Sequence, residues 1–170
     1  MPATKEDLFA RLAELGIETA TATHPPLFTV EQSQALRGRI PGAHTKNLLL
    51  KDKKGRLLLV VALEDAAIDL KRFHSLLGCG RLSFASPDLL MRTLGVPPGS
   101  VTPFALINDT EHSVELILDE ALLGFDKLNC HPLSNEATTT IARDDFLRFV
   151  EACGHPPRIL ALSSPDAGGS

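Results

Sequence analysis

The stretch TKNLLLKDKKGRLLLVVAL, residues 45–63, decides the fold. Two apolar runs flank the polar segment KDKKGR at 51–56, a pattern that predicts a β-hairpin. Both runs are apolar at consecutive positions, as strands covered on both faces of a sheet are. Lys46 interrupts this pattern, because alternation along a strand puts its ammonium on the same face as Leu48 and Leu50. Such a lysine either extends to solvent at the end of the sheet or holds an anion at the mouth of a pocket.

Helices and further strands are predicted on both sides of this hairpin. Capping residues, amphipathic spacing and terminal glycines predict helices at 4–16, 29–38, 69–78, 86–95 and 143–154. Short apolar or alternating runs predict strands at 17–23, 104–108, 114–119 and 158–162, with two more within 127–141. The segment VPPGSVTP at 96–103 is predicted to be irregular. We expect a single α+β domain at 1–162, with a mixed, largely antiparallel central sheet flanked by helices, and a disordered tail at 163–170.

Charge and cysteine content restrict the class of protein. The net charge is −4, yet residues 37–81 carry ten Lys/Arg against four Asp/Glu. Such asymmetry predicts either a localised phosphate contact or a solvated hairpin tip. The three cysteines are odd in number and lack CxxC spacing, which favours a reducing compartment. With no apolar run long enough for a membrane span and a polar, acidic N-terminus, we expect a cytoplasmic protein.

The common catalytic signatures are missing from the sequence. It contains no HxH, HExxH, GxSxG or GxxxxGK[ST] motif, so we predict no metal and no cofactor. Cys130 and His131 are adjacent, but neighbours on a strand point to opposite faces and could not share a proton there. We therefore expect Cys130 to be a small core residue. Candidate site groups are then Lys46, the loop PGSVTP at 98–103, and the segment CHPLSNEATTT at 130–140.

Three of these segments together resemble a known family. GAHTKNLLLKDKKGRLLLV, LGVPPGSVTPFALIND and CHPLSNEATTTI, in this order and spacing, resemble the YbaK-like aminoacyl-tRNA deacylases. That family is related to the editing insertion domain of bacterial prolyl-tRNA synthetases. The likeness extends over most of the chain and looks closest to the free-standing prolyl-tRNA editing proteins. It implies the fold of that editing domain and hydrolysis of alanine from mischarged tRNA for proline.

The resemblance also implies roles for individual residues. Lys46 would bind phosphate or ribose at the tRNA 3′ end, and His131 would line the amino-acid side of the site. Gly99 begins the GxxxP loop, whose backbone would contact the aminoacyl ester. Strict alternation turns Asn47 away from Lys46, so a bend at the start of the strand would be needed, or Asn47 is structural. The remaining loop residues expected to bind substrate are Ser100, Val101, Thr102 and Pro103.

The basic segment and the neighbouring predicted helix complete the expected site. Members of the family are thought to rely on a substrate hydroxyl, which is consistent with the missing nucleophile. The basic residues expected to contact the acceptor stem are Arg37, Arg39, Lys51, Lys53, Lys54 and Arg56. A small apolar pocket for the alanine side chain is expected from Val30, Leu36 and Ile40. The partners expected are aminoacylated tRNA and prolyl-tRNA synthetase, with no DNA and no membrane.

Three alternatives remain open from the sequence. One is a deacylase of the same family that acts on cysteinyl, seryl or threonyl esters, which differs from the alanine enzyme in pocket volume. Another is a non-catalytic tRNA-binding module, although such a module would not need Lys46, the GxxxP loop and His131 together. An unrelated small-molecule hydrolase is disfavoured by the absence of a metal motif or nucleophile.

Overall fold

The β-hairpin predicted at 45–63 forms the centre of the structure. The computed structural model describes residues 2–24, 40, 42–64, 66 and 70–162, and the predicted helix at 29–38 and tail at 163–170 lie outside them. Strand β2 (Ala43–Lys51) pairs antiparallel with β3 (Leu57–Leu63). The turn is closed by Asp52, whose Oδ1 accepts from the backbone N–H groups of Lys54 at 2.9 Å and Arg56 at 2.8 Å. Asp52 is buried, so its carboxylate fixes the turn rather than facing solvent.

Six further strands extend this hairpin into one mixed sheet. They are β1 (Thr19–Thr23), β4 (Ser83–Phe84), β5 (Val114–Asp119), β6 (Lys127–Cys130), β7 (Ala137–Ala142) and β8 (Arg158–Leu160). The strand order is β1-β7-β6-β2-β3-β5-β8, with β4 paired to β2 beside this path. The pairs β2–β6, β3–β5 and β5–β8 are parallel and the others in the described part of the chain are antiparallel. The predicted α+β class with a mixed sheet is confirmed.

Helices cover both faces of the sheet. They are α1 (Lys5–Glu14), α2 (Leu70–Leu77), α3 (Pro87–Leu94) and α4 (Arg143–Ala152). The first face, which carries Leu49, Leu59 and Val61, packs against α1, α3 and α4. The second face, which carries Leu50 and Leu58, packs against α2. None of the helices within the described ranges is long and apolar enough to cross a membrane.

Local capping signals placed α1 and α3 correctly. Thr4 and Asp7 form the predicted capping box of α1, and Ser86 accepts from the backbone of Leu89 at the start of α3. Gly95 ends α3 in the left-handed region, with φ of 70°. These hydrogen bonds lie within three residues of each other in sequence, which explains why the sequence alone predicts them.

The prediction of a strand at 104–108 was wrong. This segment is part of a 3₁₀ helix, Pro103–Asn108, and the hydroxyl of Thr102 accepts from the N–H of Phe104 at 3.3 Å. Phe104, Ala105 and Leu106 are all buried, so the run is enclosed on every side and has no strand-like alternation. The centroids of the phenyl rings of Phe104 and Phe149 are 5.4 Å apart in an edge-to-face contact, which packs this 3₁₀ helix against α4.

Three other short elements were not predicted as such. A 3₁₀ turn, Pro98–Ser100, lies in the segment predicted to be irregular. Strand β4 and the 3₁₀ helix Glu120–Gly124 were not predicted.

Replacing Gly95 by alanine should destabilise the protein. A Cβ at this position would lie 2.8 Å from Nδ2 of Asn108 and 2.8 Å from Cβ of Pro2, and φ is 70°. Asn108 cannot simply move, since Nδ2 donates to the Leu94 carbonyl at 2.8 Å. We expect Gly95→Ala to lower the free energy of unfolding by about 1–3 kcal/mol, as measured by urea denaturation. The control Gly80→Ala, where nothing lies within 4 Å of the added Cβ, should change it little.

Candidate active site

The second face of the sheet changes from apolar to polar along β2. Leu50 and Leu58 lie under α2, whereas Lys46 pairs with Ala62 towards the other end of the same face. The registers of β2 with β6 and of β6 with β7 place further polar residues on this face. We call this end the polar half; its members are His44, Lys46, Asn129 and Thr140, together with Thr138 of β7 and Glu64, which follows β3. Three strands and the residue that follows β3 therefore contribute polar groups to one end of one face.

Lys46 occupies the face predicted from its phase with Leu48 and Leu50. Its side chain is half-buried and Nζ donates to the carbonyl oxygen of Ala66, just beyond the end of β3. A carbonyl carries only a partial charge, and Lys46 forms no ion pair with another of the described residues, so this contact orients the ammonium without neutralising it. The position is thus suited to bind an anionic oxygen.

Asn47 lies on the opposite face from Lys46. Strand β2 stays paired with β3 through Thr45, Lys46 and Asn47 without a bulge, so the predicted possibility of a bend is not seen. The Nδ2 of Asn47 is 3.5 Å from Oγ1 of Thr45, and its Oδ1 is buried without a hydrogen-bond partner. Asn47 therefore shares the first face with Thr45, and its role in substrate binding remains a prediction.

His131 is the first residue after β6. The parallel register pairs His44 with Asn129, and continuing it by two residues aligns His131 with Lys46. The Nδ1 of His131 lies 3.1 Å from the carbonyl oxygen of Ala137. Because a carbonyl can only accept, Nδ1 carries the proton, and Nε2 of the neutral ring is left as an acceptor.

The surroundings of His131 keep its ring neutral. Burial lowers the pKa of His131 below its ordinary value of 6.5, and the nearby charge of His24 lowers it further. The Ala137 carbonyl and Glu64 act in the opposite direction but do not outweigh these effects. His24 is itself held by Thr138, with 2.8 Å between Nε2 and Oγ1. At neutral pH the imidazole can therefore accept a proton or a hydrogen bond.

The GxxxP loop lies against the loop that carries His131. A Cβ added to Gly99 would be 3.3 Å from Nδ2 of Asn135, so the two loops are in contact at this glycine. Gly99 is exposed and Val101 is half-buried. By contrast, the other predicted loop residues are buried and shape the loop: Ser100, Thr102 and Pro103. The N–H of Ser100 is already used by the Pro97 carbonyl at 2.9 Å.

Cys130 is a core residue, as expected. It is 3% exposed and lies on the first face, where its Sγ is 3.5 Å from Oγ1 of Thr45. Burial raises the pKa of its thiol to about 12, and burial likewise raises that of Cys153 to about 11. Both thiols stay protonated at neutral pH and are poor nucleophiles.

A basic groove lies at the other end of β2. It has a volume of about 330 Å³ and is lined by Lys51, Asp52, Lys53, Arg81, Leu82 and Ser83. Of the predicted tRNA contacts, Lys51 and Lys53 lie in this groove, and Lys54 is exposed in the adjoining turn. Arg56 is otherwise engaged: its guanidinium forms a two-point ion pair with Glu115 and a 3.4 Å hydrogen bond to the Leu77 carbonyl. Its predicted contact with tRNA is untested, but this geometry favours a structural role.

The remaining predicted site residues are mostly outside the described part of the chain. Val30, Leu36, Arg37 and Arg39 fall in this category. Ile40 is described, and its carbonyl oxygen lies 3.0 Å from Nε2 of His44. This contact ties residue 40 to the start of β2, close in sequence to Lys46.

Comparison with known proteins agrees with this arrangement. The model of the aminoacyl-tRNA editing domain matches residues 24–149, which include Lys46, the GxxxP loop and His131.

The chain belongs to the aminoacyl-tRNA editing domain family.

Relatives and a solved structure extend the match over nearly the whole chain. The chain is 42% identical over 160 residues to prolyl-tRNA synthetase associated domain-containing protein 1 of Danio rerio, covering 93% of this chain and 87% of the relative. It is 36% identical over 159 residues to the prolyl-tRNA editing protein ProX of Acetoanaerobium sticklandii, covering 93% and 97%. A crystal structure of a candidate trans-editing enzyme for prolyl-tRNA synthetase has the same fold, with a TM-score of 0.70 at 18% identity, covering 96% and 99%. The predicted family and the class of aminoacyl-tRNA deacylase are confirmed.

Several residues of this editing domain were not predicted as site residues. His24 and Glu64 influence His131, and Arg81 lines the basic groove. His24 and Glu64 each follow directly after a strand, and Arg81 comes just before one. A polar residue next to the end of a predicted strand is the sequence signal that could have identified these residues. Which of them lie close together, however, depends on which strands become neighbours in the sheet.

The ionisation of His131 in this editing domain can be tested by mutation. We expect its midpoint in a histidine-ring NMR titration to lie below 6.5, because burial disfavours the imidazolium. Glu64→Gln should lower that midpoint further, and His24→Gln should raise it, since each removes a charge that acts on His131. A wild-type midpoint at or above 6.5 would contradict the neutral ring, and an unchanged midpoint in both variants would contradict the electrostatic link.

Proposed function

We propose that the protein is a trans-editing hydrolase that removes alanine from mischarged tRNA for proline. The observation that carries this proposal is the pair of groups at this end of the sheet: Lys46 on the polar half, oriented by a backbone carbonyl, and His131, a neutral acceptor on which the charge of Glu64 from the polar half acts. The name of the ProX relative supports the choice of tRNA for proline. A functional link to prolyl-tRNA synthetase and a cytoplasmic location are part of this proposal.

Lys46 would bind a phosphate or ribose oxygen of the 3′ terminal adenosine. Its backbone is fixed by pairing with Ala62, and its ammonium is directed by the Ala66 carbonyl. A substrate phosphate would then supply the full negative charge that the Ala66 carbonyl lacks. Holding the adenosine in this way orients the attached ester, which is a large part of catalysis for an already activated acyl group.

Water is the nucleophile in this reaction. Its oxygen adds to the ester carbonyl carbon, and the resulting tetrahedral intermediate loses the bond to the ribose oxygen. One proton from water ends on that ribose oxygen, so the products are alanine and tRNA with a free 3′ end. A vicinal ribose hydroxyl would position the water, and Nε2 of His131 would accept a hydrogen bond on the amino-acid side. The protonated Cys130 and Cys153 take no part.

Selection of alanine over proline would come from pocket size. A synthetase site built for proline cannot strongly exclude a smaller side chain, because a missing methylene changes binding by only about 1–3 kcal/mol. A second, smaller site that admits alanine and rejects proline corrects that error. Val30, Leu36 and Ile40 are the proposed wall of this site, and the backbone of the GxxxP loop would hold the ester.

A panel of esters and one substitution test the proposed function. We expect rapid loss of alanine from alanyl-tRNA for proline, and little loss from the prolyl, cysteinyl and seryl esters of that tRNA or from alanyl-tRNA for alanine. Lys46→Met should lower kcat/KM by about 100-fold or more, because it removes the cation that orients the substrate. Its thermal unfolding midpoint should remain close to wild type, since the side chain is only half-buried.

Lys127→Met is the matched control for Lys46→Met, because Lys127 is an exposed lysine at the start of β6. Unchanged deacylation by Lys46→Met would refute the role of Lys46. Hydrolysis of the cysteinyl or seryl ester instead would show that the protein is a deacylase of the same family with a different amino-acid specificity. Tight tRNA binding without hydrolysis of any ester would make the protein a binding module.

The basic groove should provide the affinity for the RNA backbone. Lys51→Ala and Arg81→Ala should each weaken tRNA binding and reduce the slope of log K against log salt by about one, as loss of one phosphate contact does. Filter binding at several salt concentrations measures both quantities. Lys5→Ala on α1, which packs on the first face, is the control and should change neither. Equal slopes of log K against log salt for Lys51→Ala, Arg81→Ala and Lys5→Ala would exclude the groove as the phosphate site.

A further inference from the structure

An exposed phenylalanine stands at the edge of the sheet beside the basic groove. Phe84 is 61% exposed, the largest exposed fraction among the large hydrophobic residues of the described chain. It ends the two-residue strand β4, which within the described part of the chain pairs with β2 alone. Burial does not account for an aromatic ring at this place, and an exposed ring is free to meet the face of another planar group.

Phe84 shares a face with Lys46. It pairs with Leu50, and Leu50 lies in phase with Lys46 on β2. Strands β6 and β4 both pair with the edge of β2 that lies opposite β3. Strand β6 pairs at Ala43 and His44, and β4 pairs farther along, at Leu50 and Lys51. At the usual rise per residue, the four steps from Lys46 to Leu50 span about 13 Å. The active site and the ring therefore lie along one side of one strand.

Several cations lie across the edge of the sheet from the ring, because alternation directs the side chains of Lys51 and Ser83 to the opposite face from Phe84. Lys51 pairs with Ser83, the residue before Phe84, and both line the groove that also contains Lys53 and Arg81. The one acidic residue lining this groove, Asp52, uses its Oδ1 to close the hairpin turn. Proteins bind single-stranded nucleic acid by combining exposed aromatic rings, on which bases stack, with Lys or Arg side chains that pair with phosphates. Here the ring and the cations lie on the two sides of one sheet edge, which a strand of RNA can cross.

We propose that Phe84 is a stacking platform for a base in the unpaired 3′ strand of the tRNA, upstream of the terminal adenosine. Lys51 and Arg81 neutralise the phosphates that flank this base. The inference rests on the proposed function, which places the terminal adenosine at Lys46. At a rise of about 3.4 Å per stacked nucleotide, 13 Å corresponds to about four nucleotides, which would reach the paired stem. The platform therefore requires the unpaired 3′ strand to be extended between Lys46 and Phe84, so that fewer nucleotides span this distance.

The absence of tryptophan and tyrosine from the sequence allows a direct test. Phe84→Trp gives a protein with a single tryptophan at the platform, and Phe125→Trp gives one at another exposed phenylalanine, 39% exposed. On titration with uncharged tRNA, we expect the fluorescence of Phe84→Trp to be quenched by base stacking and that of Phe125→Trp to be unchanged. With tRNA trimmed of its unpaired 3′ nucleotides, the quenching of Phe84→Trp should be lost.

The anisotropy of labelled tRNA shows when each variant is saturated with tRNA. A failure of the stacking platform can then be told apart from a failure of the proposed function. Unchanged fluorescence of Phe84→Trp at saturating tRNA would overturn the stacking platform and leave the proposed function standing. Quenching that persists with trimmed tRNA would also overturn it, because the stem would then be the ligand. Quenching in a protein that hydrolyses no ester would refute the proposed deacylase while supporting the platform.

Kinetics supply the second test of Phe84. Phe84→Leu keeps an apolar side chain but loses the ring, so KM for aminoacyl-tRNA should rise about 5- to 150-fold with little change in kcat. Phe84→Tyr keeps the ring and should retain the wild-type KM. Alanyl-adenosine, which has no upstream nucleotides, should be hydrolysed equally by wild type and Phe84→Leu. Equal KM values for Phe84→Leu and wild type on tRNA would refute the platform.

Discussion

The unbroken pairing of β2 with β3 is the constraint on which the site depends. Seven consecutive residues of β2, Thr45–Lys51, are matched with Leu57–Leu63 without a bulge. Side chains alternate along such a pair, so a slip of one residue would exchange the two faces. Lys46 would then face the first core, and Leu49 would leave it. The leucines on both faces therefore hold the lysine in position, because a slip by one residue would turn its charge into the first core.

The polar half combines a cation and a neutral acceptor without cancelling either. Lys46 is oriented by the carbonyl of Ala66, which leaves its charge available to a phosphate. A carboxylate in the same place would form an ion pair and compete with the substrate. His131 is kept neutral chiefly by burial, with His24 and Glu64 acting on it in opposite directions. The arrangement is prepared for an anionic substrate, since little has to reorganise when the substrate arrives.

The sequence was a good guide where structure depends on neighbours along the chain. The hairpin and the caps at Thr4 and Ser86 follow from residues a few positions apart. The same rules misassigned residues 104–108, because burial on every side removes the alternation that separates a strand from a helix. His24 and Glu64 were missed as site residues for a different reason. Their approach to His131 requires strands far apart in sequence to become neighbours, and no local pattern records that choice.

In the proposed function, strand β2 separates two kinds of binding. Contacts at Lys51 and Arg81 would be made to parts of the RNA that do not react, so they would be equally strong before and during the chemical step. Such contacts lower KM and leave kcat unchanged. Contacts at Lys46 and His131 would surround the reacting ester and strengthen as charge develops there. Because a paired strand joins the two ends, recognition of the RNA would position the ester without either set of residues having to perform both tasks.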